Sequence, residues 1–202
     1  MSSYFLDSNR ASPTQSDVEH RRLRPLFNYF HPTMSLSLHQ SSVSLFTQIL
    51  GGLSAVLHKA EAHAADKKID PSVLLQSRLY PDMFALTRQV QIAADFAKGG
   101  AARLAGVDVP AYEDNEASFG DLQARIAKTL AFIQSLPAAD IKAGADRSIV
   151  LRPGTPKEQT LVGSSYLVNY TLPHFFFHTT TAYNILRHNG VEVGKKDFVG
   201  TW

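Results

Sequence analysis

Two histidines, His174 and His178, stand four residues apart in the run YTLPHFFFHTTTAYNILRHNG, from Tyr170 to Gly190, and the first of them follows Pro173. Residues four apart share one face of a helix. Imidazoles in that arrangement support three kinds of chemistry. They can grip one divalent ion. They can serve as acid–base groups, because the ordinary histidine pKa lies near neutrality. They can also be buried side chains whose nitrogens are satisfied by neighbouring hydroxyls and carbonyls. The HxxxH spacing alone does not choose among these, since a metal site needs a third and preferably a fourth ligand.

The chain has no cysteine, so thiolate ligands, thiolate nucleophiles and disulfides are excluded and further ligands must come from His, Asp, Glu, Gln or Asn. His58 and His63 are five residues apart and share a face poorly. Asp82, Gln89, Gln91 and Asp95 are the polar candidates on the second long helical segment. Asp82 follows Pro81 and reads as a first-turn acid facing the helix dipole, Asp95 as an exposed acid. Gln89 and Gln91 either face solvent or reach the histidines. Pro173 has no N–H to give the carbonyl of Asn169, so that carbonyl and the Asn169 side chain fall one turn from His174. Asn169, Tyr170, Gln89 and Gln91 are therefore the candidate lining of a pocket around His174 and His178. No GxSxG elbow, P-loop, GxGxxG fingerprint or HExxH motif is present.

The elements that must position these groups are helical. From Ser37 to about Lys67, Val43, Phe46, Leu50, Leu53, Leu57, Ala60 and Ala64 recur at spacings of three and four. Gly51 and Gly52 interrupt this helix and mark close packing or a bend. A short turn follows Asp70-Pro71. A second long helix is expected from near Pro81 to about Leu104, with Gly106 as its stop. Ser118 caps a third, with Asp121 in a capping-box position, and Pro137 ends it. Residues 147–162 change period and predict a hairpin around Pro153-Gly154-Thr155-Pro156. The fourth long helix runs from Ser164 or Ser165 to Arg187. On it Tyr170, His174, His178 (or Phe177), Thr181 and Ile185 form a stripe expected to face the core. The fold class is all-α: an up-down four-helix bundle with a small β-hairpin before the last helix.

Length and charge frame the rest. The 202 residues suit one domain, and 20 basic against 18 acidic side chains give a formal charge of +2. The basic residues are scattered, so no nucleic-acid partner is expected. No apolar run approaches a membrane span. Residues 1–33 are rich in Ser, Asn, Pro and Arg and read as a flexible extension without a secretory signal. Residues 34–202 form the bundle domain, and a cytoplasmic location is expected.

The segments MSLSLHQSSVSLFTQIL, YPDMFALTRQVQIAADFAKGGAARLAG and LPHFFFHTTTAYNILRHNGVEVGKKDFVG resemble a domain-of-unknown-function branch of the DinB-like superfamily. The resemblance spans Met34 to Gly200 and implies a DinB-like bundle, often a homodimer. In metal-binding relatives one second-helix histidine joins an HxxxH pair on the last helix to hold nickel or zinc, and some members are thiol-dependent transferases. His174 and His178 match the pair. The second-helix histidine has no counterpart, and Gln89 or Gln91 stands near its place. Glutamine is a poor ligand for such metals. Three readings follow: a small-molecule-binding cavity around His174 and His178, a divalent-metal enzyme of thiol-transferase type, and a non-catalytic dimeric stress or interaction protein.

Overall fold

The computed structural model describes residues 36–201, and the extension at residues 1–33 lies outside them. Four long helices carry the core. A π-helical turn at Gln40–Ser44 leads into α1 (Leu45–Lys67), followed by the short α2 (Pro71–Leu75), then α3 (Leu86–Ala105) and α4 (Phe119–Ser135). A short α5 (Ala138–Ala143) precedes the hairpin β1 (Ser148–Leu151) and β2 (Gln159–Val162). The last long segment starts as α6 (Gly163–Ser165), widens into a π-helix at Tyr166–Thr171 and continues as α7 (Leu172–His188). A final turn, α8 (Lys195–Val199), closes the described chain.

The four long helices form a ring. α3 packs on both α7 and α4, and α1 packs on both α4 and α7. The apolar stripes meet in the middle: Phe46, Leu50, Leu53 and Leu57 of α1, Val90, Ala97, Ala101 and Leu104 of α3, Leu122, Ile126 and Ile133 of α4, and Phe175, Ala182 and Ile185 of α7 are all buried. The hairpin pairs Ser148 with Val162 and Leu151 with Gln159, antiparallel. Only Ile149 and Leu151 of β1 are buried, so the hairpin lies as a flap with one face on the bundle.

Helix ends follow the local chemistry. Ser118 accepts from the Asp121 backbone N–H at 3.1 Å while Asp121 accepts from the Ser118 N–H at 2.9 Å, a reciprocal capping box. α3 stops at Gly106, which adopts φ 75°, a conformation glycine takes without strain. Gly52 of α1 marks close packing: a side chain there would meet the Phe198 carbonyl at 2.5 Å, so only hydrogen lets the C-terminal turn lie on α1. Ring contact between Tyr183 and Phe198, with centroids 5.7 Å apart, adds to that docking.

One expectation needs correction. α3 begins at Leu86, not near Pro81, because residues 77–85 form turns in which the Ser77 carbonyl accepts from the Leu86 N–H. Asp82 therefore lies outside the helix and faces no dipole. The proline in the last helix is absorbed without losing helical course. The Leu172 N–H reaches back five residues to the Leu167 carbonyl, and Pro173 then falls in the first turn of α7, where no N–H is needed.

Candidate functional site

The site is built along the seam of α3 and α7, which run antiparallel. Arg103 meets Tyr166 at one end of the seam and Gln89 meets His178 at the other. On α3 the seam residues are Gln89, Phe96 and Arg103, seven apart, which is two turns of helix. Opposite them, Tyr166, Tyr170, His174 and His178 follow at intervals of four. The second set needs the π-helical turn, because Tyr166 and Tyr170 both lie in it. Gly100 lets that turn approach: a Cβ there would meet Thr171 Cγ2 at 2.6 Å.

Gln89 fixes the state of His178. The Gln89 Nε2 donates to the Phe84 carbonyl at 3.0 Å, and a carbonyl only accepts. The amide is thereby oriented with Oε1 toward His178 Nδ1, at 2.7 Å. An amide oxygen also only accepts, so Nδ1 carries the hydrogen and Nε2 keeps a lone pair. His178 is buried, and its pKa is lowered from 6.5 to about 4, first by burial and then by the nearby charges of His174 and Arg88. It is neutral at physiological pH.

Phe96 joins the two histidines. Its ring lies parallel to His174 at 4.7 Å between centroids, with an interplanar angle of 1°, and near-parallel to His178 at 5.9 Å. Tyr170 sets its edge against both Phe96, at 5.9 Å, and His174, at 4.7 Å. His174 is exposed, although the stripe it belongs to was expected to face the core. The helix stripe is wide enough that His178 and Phe175 take the inner positions while His174 sits at the rim.

Beside these rings a cleft of about 170 Å³ opens between α3, the π-helical turn and the hairpin. Asp95, Phe96, Arg103, Leu151, Arg152, Tyr166 and Tyr170 line it. Of the residues singled out in the sequence, Tyr170 and Asp95 line it, and neither His174 nor His178 does. Gln89 braces His178 and does not border the cleft; Asn169 is exposed. Gln91 is directed elsewhere: it donates to Glu116 at 2.7 Å and accepts from Arg88 at 3.1 Å. It belongs to an ionic cluster centred on the buried Arg125, which pairs with Asp95 and Asp114 at 3.0 Å each and with Glu116 at 2.9 Å. Asp95 also pairs with Lys98 at 2.9 Å, so it is a tethered acid.

Phe96, Arg103, Arg152 and Tyr166 were not singled out in the sequence. A signal for Phe96, Arg103 and Tyr166 existed in the register of Gln89, Phe96 and Arg103, which repeats at seven and matches the four-residue repeat of aromatic and imidazole side chains on the last helix; Arg152, in the hairpin turn, lies outside both registers.

The donor set does not fit the metal that the DinB resemblance implies. Gln89 stands opposite the HxxxH pair, but its amide oxygen is bonded to His178 and its nitrogen to Phe84. Among the described residues no group of three His, Cys, Asp or Glu side chains is placed to hold an ion. The Arg88 charge, which disfavours a protonated His178, disfavours a dication at the same place.

Residues 38–199 match the family model described as Domain of unknown function (DUF1993). A crystal structure of a DinB family member protein from Shewanella denitrificans superposes with a TM-score of 0.77 at 44% sequence identity, covering 82% of this chain and 93% of that one. No curated protein matches the chain. Among the described residues no helix is long and apolar enough to cross a membrane. The family match and the shared bundle agree with the seam of helices described above: the chain belongs to the DUF1993 family and has a DinB-like fold.

Proposed function

We propose that the chain binds a small molecule in the cleft between α3, the π-helical turn and the hairpin, next to His174 and His178. One observation carries this reading. Three aromatic rings, Phe96, Tyr166 and Tyr170, surround an open space of about 170 Å³ that also has charged side chains at its wall, the combination of apolar surface and few polar groups found in ligand sites. Neither imidazole lines this space, but His174 packs on Phe96 and Tyr170 and His178 stacks on Phe96, so one ring would separate a bound molecule from them. The π-helical turn supports the same reading. Such turns cost regular hydrogen bonding and recur where side chains must be re-aimed, and this one aims Tyr166 and Tyr170 into the cleft.

The test is NMR. Phenol and benzyl alcohol, titrated at millimolar concentration, are expected to shift the ring protons of Tyr170, Phe96 and His174 together, and Tyr170→Ala is expected to abolish the response. If neither compound moves those signals in a folded protein, the cleft is not a ligand site.

A further inference from the structure

The cleft carries a charge preference that its aromatic lining alone does not explain. Two of its lining residues are arginines, Arg103 from α3 and Arg152 from the hairpin turn. Among the described residues neither is paired with a carboxylate. Arg103 is aimed by a short relay: the Tyr166 hydroxyl donates to the Gly99 carbonyl at 3.4 Å, which turns its oxygen lone pairs toward Arg103 Nη1 at 3.2 Å. That contact uses one guanidinium N–H and leaves the rest of the fork to a ligand. Arg152 is held at φ 52°, in the left-handed region that a residue with a side chain rarely adopts. Strain of this kind is retained where the surrounding structure needs the residue at that point, and here it stands at the cleft wall. The one acid in the lining, Asp95, is matched by two cations, Lys98 and Arg125, so it does not offset the arginines.

We infer that the ligand is a small flat anion, an aromatic or similarly planar body carrying a carboxylate or phosphoryl group, with its ring against Phe96, Tyr166 and Tyr170 and its anionic group at Arg103 and Arg152. This inference rests on the cleft being a ligand site. The size is consistent with one ring. A cavity of roughly 150 Å³ holds benzene, and the cleft has about 170 Å³. Guanidinium forks match carboxylate and phosphoryl oxygens with two parallel hydrogen bonds, and a planar body gains from stacking on the rings.

Isothermal titration calorimetry with benzoate, phenylphosphonate, benzyl alcohol and benzylammonium, at fixed ionic strength, separates the outcomes. Benzoate or phenylphosphonate is expected to bind at least tenfold tighter than benzyl alcohol, and benzylammonium more weakly than all three. The ratio of benzoate to phenylphosphonate affinity tells a carboxylate ligand from a phosphoryl one, and inorganic phosphate alone is expected to bind more weakly than phenylphosphonate. Arg103→Gln and Arg152→Gln are each expected to reduce affinity for the preferred anion at least fivefold while leaving benzyl alcohol within twofold and the circular dichroism spectrum unchanged. Equal affinity for benzyl alcohol and both anions overturns the inference and leaves the cleft as a ligand site. Tight anion binding that survives both arginine substitutions overturns it as well. Failure of every compound overturns the inference together with the reading it rests on.

Discussion

Between pH 7 and pH 5 the stability of this bundle is expected to fall by about 2 kcal/mol through His178 alone. The folded protein holds this imidazole at a pKa of about 4, whereas the unfolded chain gives it the ordinary value of 6.5. Between those values the unfolded state binds a proton that the folded state refuses, so stability rises with pH through this window. The contribution is complete above about pH 6.5 and is lost as pH falls toward 4. Integrating the difference from pH 7 to pH 5 gives about 2 kcal/mol, at 1.36 kcal/mol per tenfold change. The shifted carboxylates do not interfere. Hydrogen bonds from Ser72, Ser118 and Lys59 hold Asp70, Asp121 and Asp197 low, and at Asp114 burial pushes up but Arg88 and Arg125 more than offset it. Their stabilisation is present above the unfolded carboxylate pKa near 3.9 and is lost only below it. Urea unfolding at pH 7, 6 and 5 on the wild type and on His178→Gln measures the slope, and the variant should lose most of it. The Hε1 resonance of His178, followed by NMR, gives the pKa directly. Gln89→Glu should weaken the effect, since a carboxylate beside Nδ1 favours the imidazolium and brings the His178 pKa back toward its unfolded value. A His178 titration near 6.5 in the wild type, or equal slopes in wild type and His178→Gln, would refute the reasoning.

Two further predictions follow from the same geometry. Gln89→His places a third imidazole opposite the HxxxH pair, and zinc affinity measured by competition with a chromophoric chelator should rise at least tenfold over wild type, with the gain removed by adding His178→Ala. Arg125→Ala removes the guanidinium from the mostly buried Glu116, while the more exposed Asp95 and Asp114 keep Lys98 and Arg88, and losing these charged hydrogen bonds should cost about 1.5–3 kcal/mol in urea unfolding; Arg125→Met, which refills the volume, should be no less stable than Arg125→Ala.

The helices were readable because their chemistry is local. The spacing of apolar residues, the Ser118–Asp121 capping box and Gly106 each act within a few residues, and each lies where the sequence places it. The hairpin was readable for the same reason. The start of α3 was not, since residues 77–85 satisfy their backbone through turns and the proline at 81 marks a turn and not a first helical position. The partition of the glutamines was also invisible. Gln89 and Gln91 are two residues apart and so point about 200° away from each other around the helix, one to His178 and the other to Glu116. Which glutamine meets the histidines depends on how α3 is rotated against α7, a packing outcome that no local pattern encodes. Arg152 was hidden for another reason: it reaches the cleft only because the hairpin folds back on the bundle with that residue in a left-handed conformation.

The state of His178 limits what the histidine pair does for a bound molecule. A general base works best when its pKa lies near the operating pH, because it must be both unprotonated and willing to take the proton. His178, at about 4, satisfies the first condition and fails the second. Its Nε2 lone pair is suited to accepting a hydrogen bond, and the Gln89–Phe84 relay keeps that lone pair from being lost to a tautomer change. An imidazolium would have to form beside Arg88 and His174 with little water to solvate it. On the proposed reading, the residues that hold and orient a ligand at neutral pH are the aromatic rings and the two arginines, with His178 as a fixed acceptor behind them. For His178 to act as a base, a bound anion would have to bring enough negative charge to offset Arg88 and raise its pKa. A ligand-dependent upward shift of the His178 resonance titration would reveal that coupling, and a titration unchanged by benzoate would confine the residue to the acceptor role.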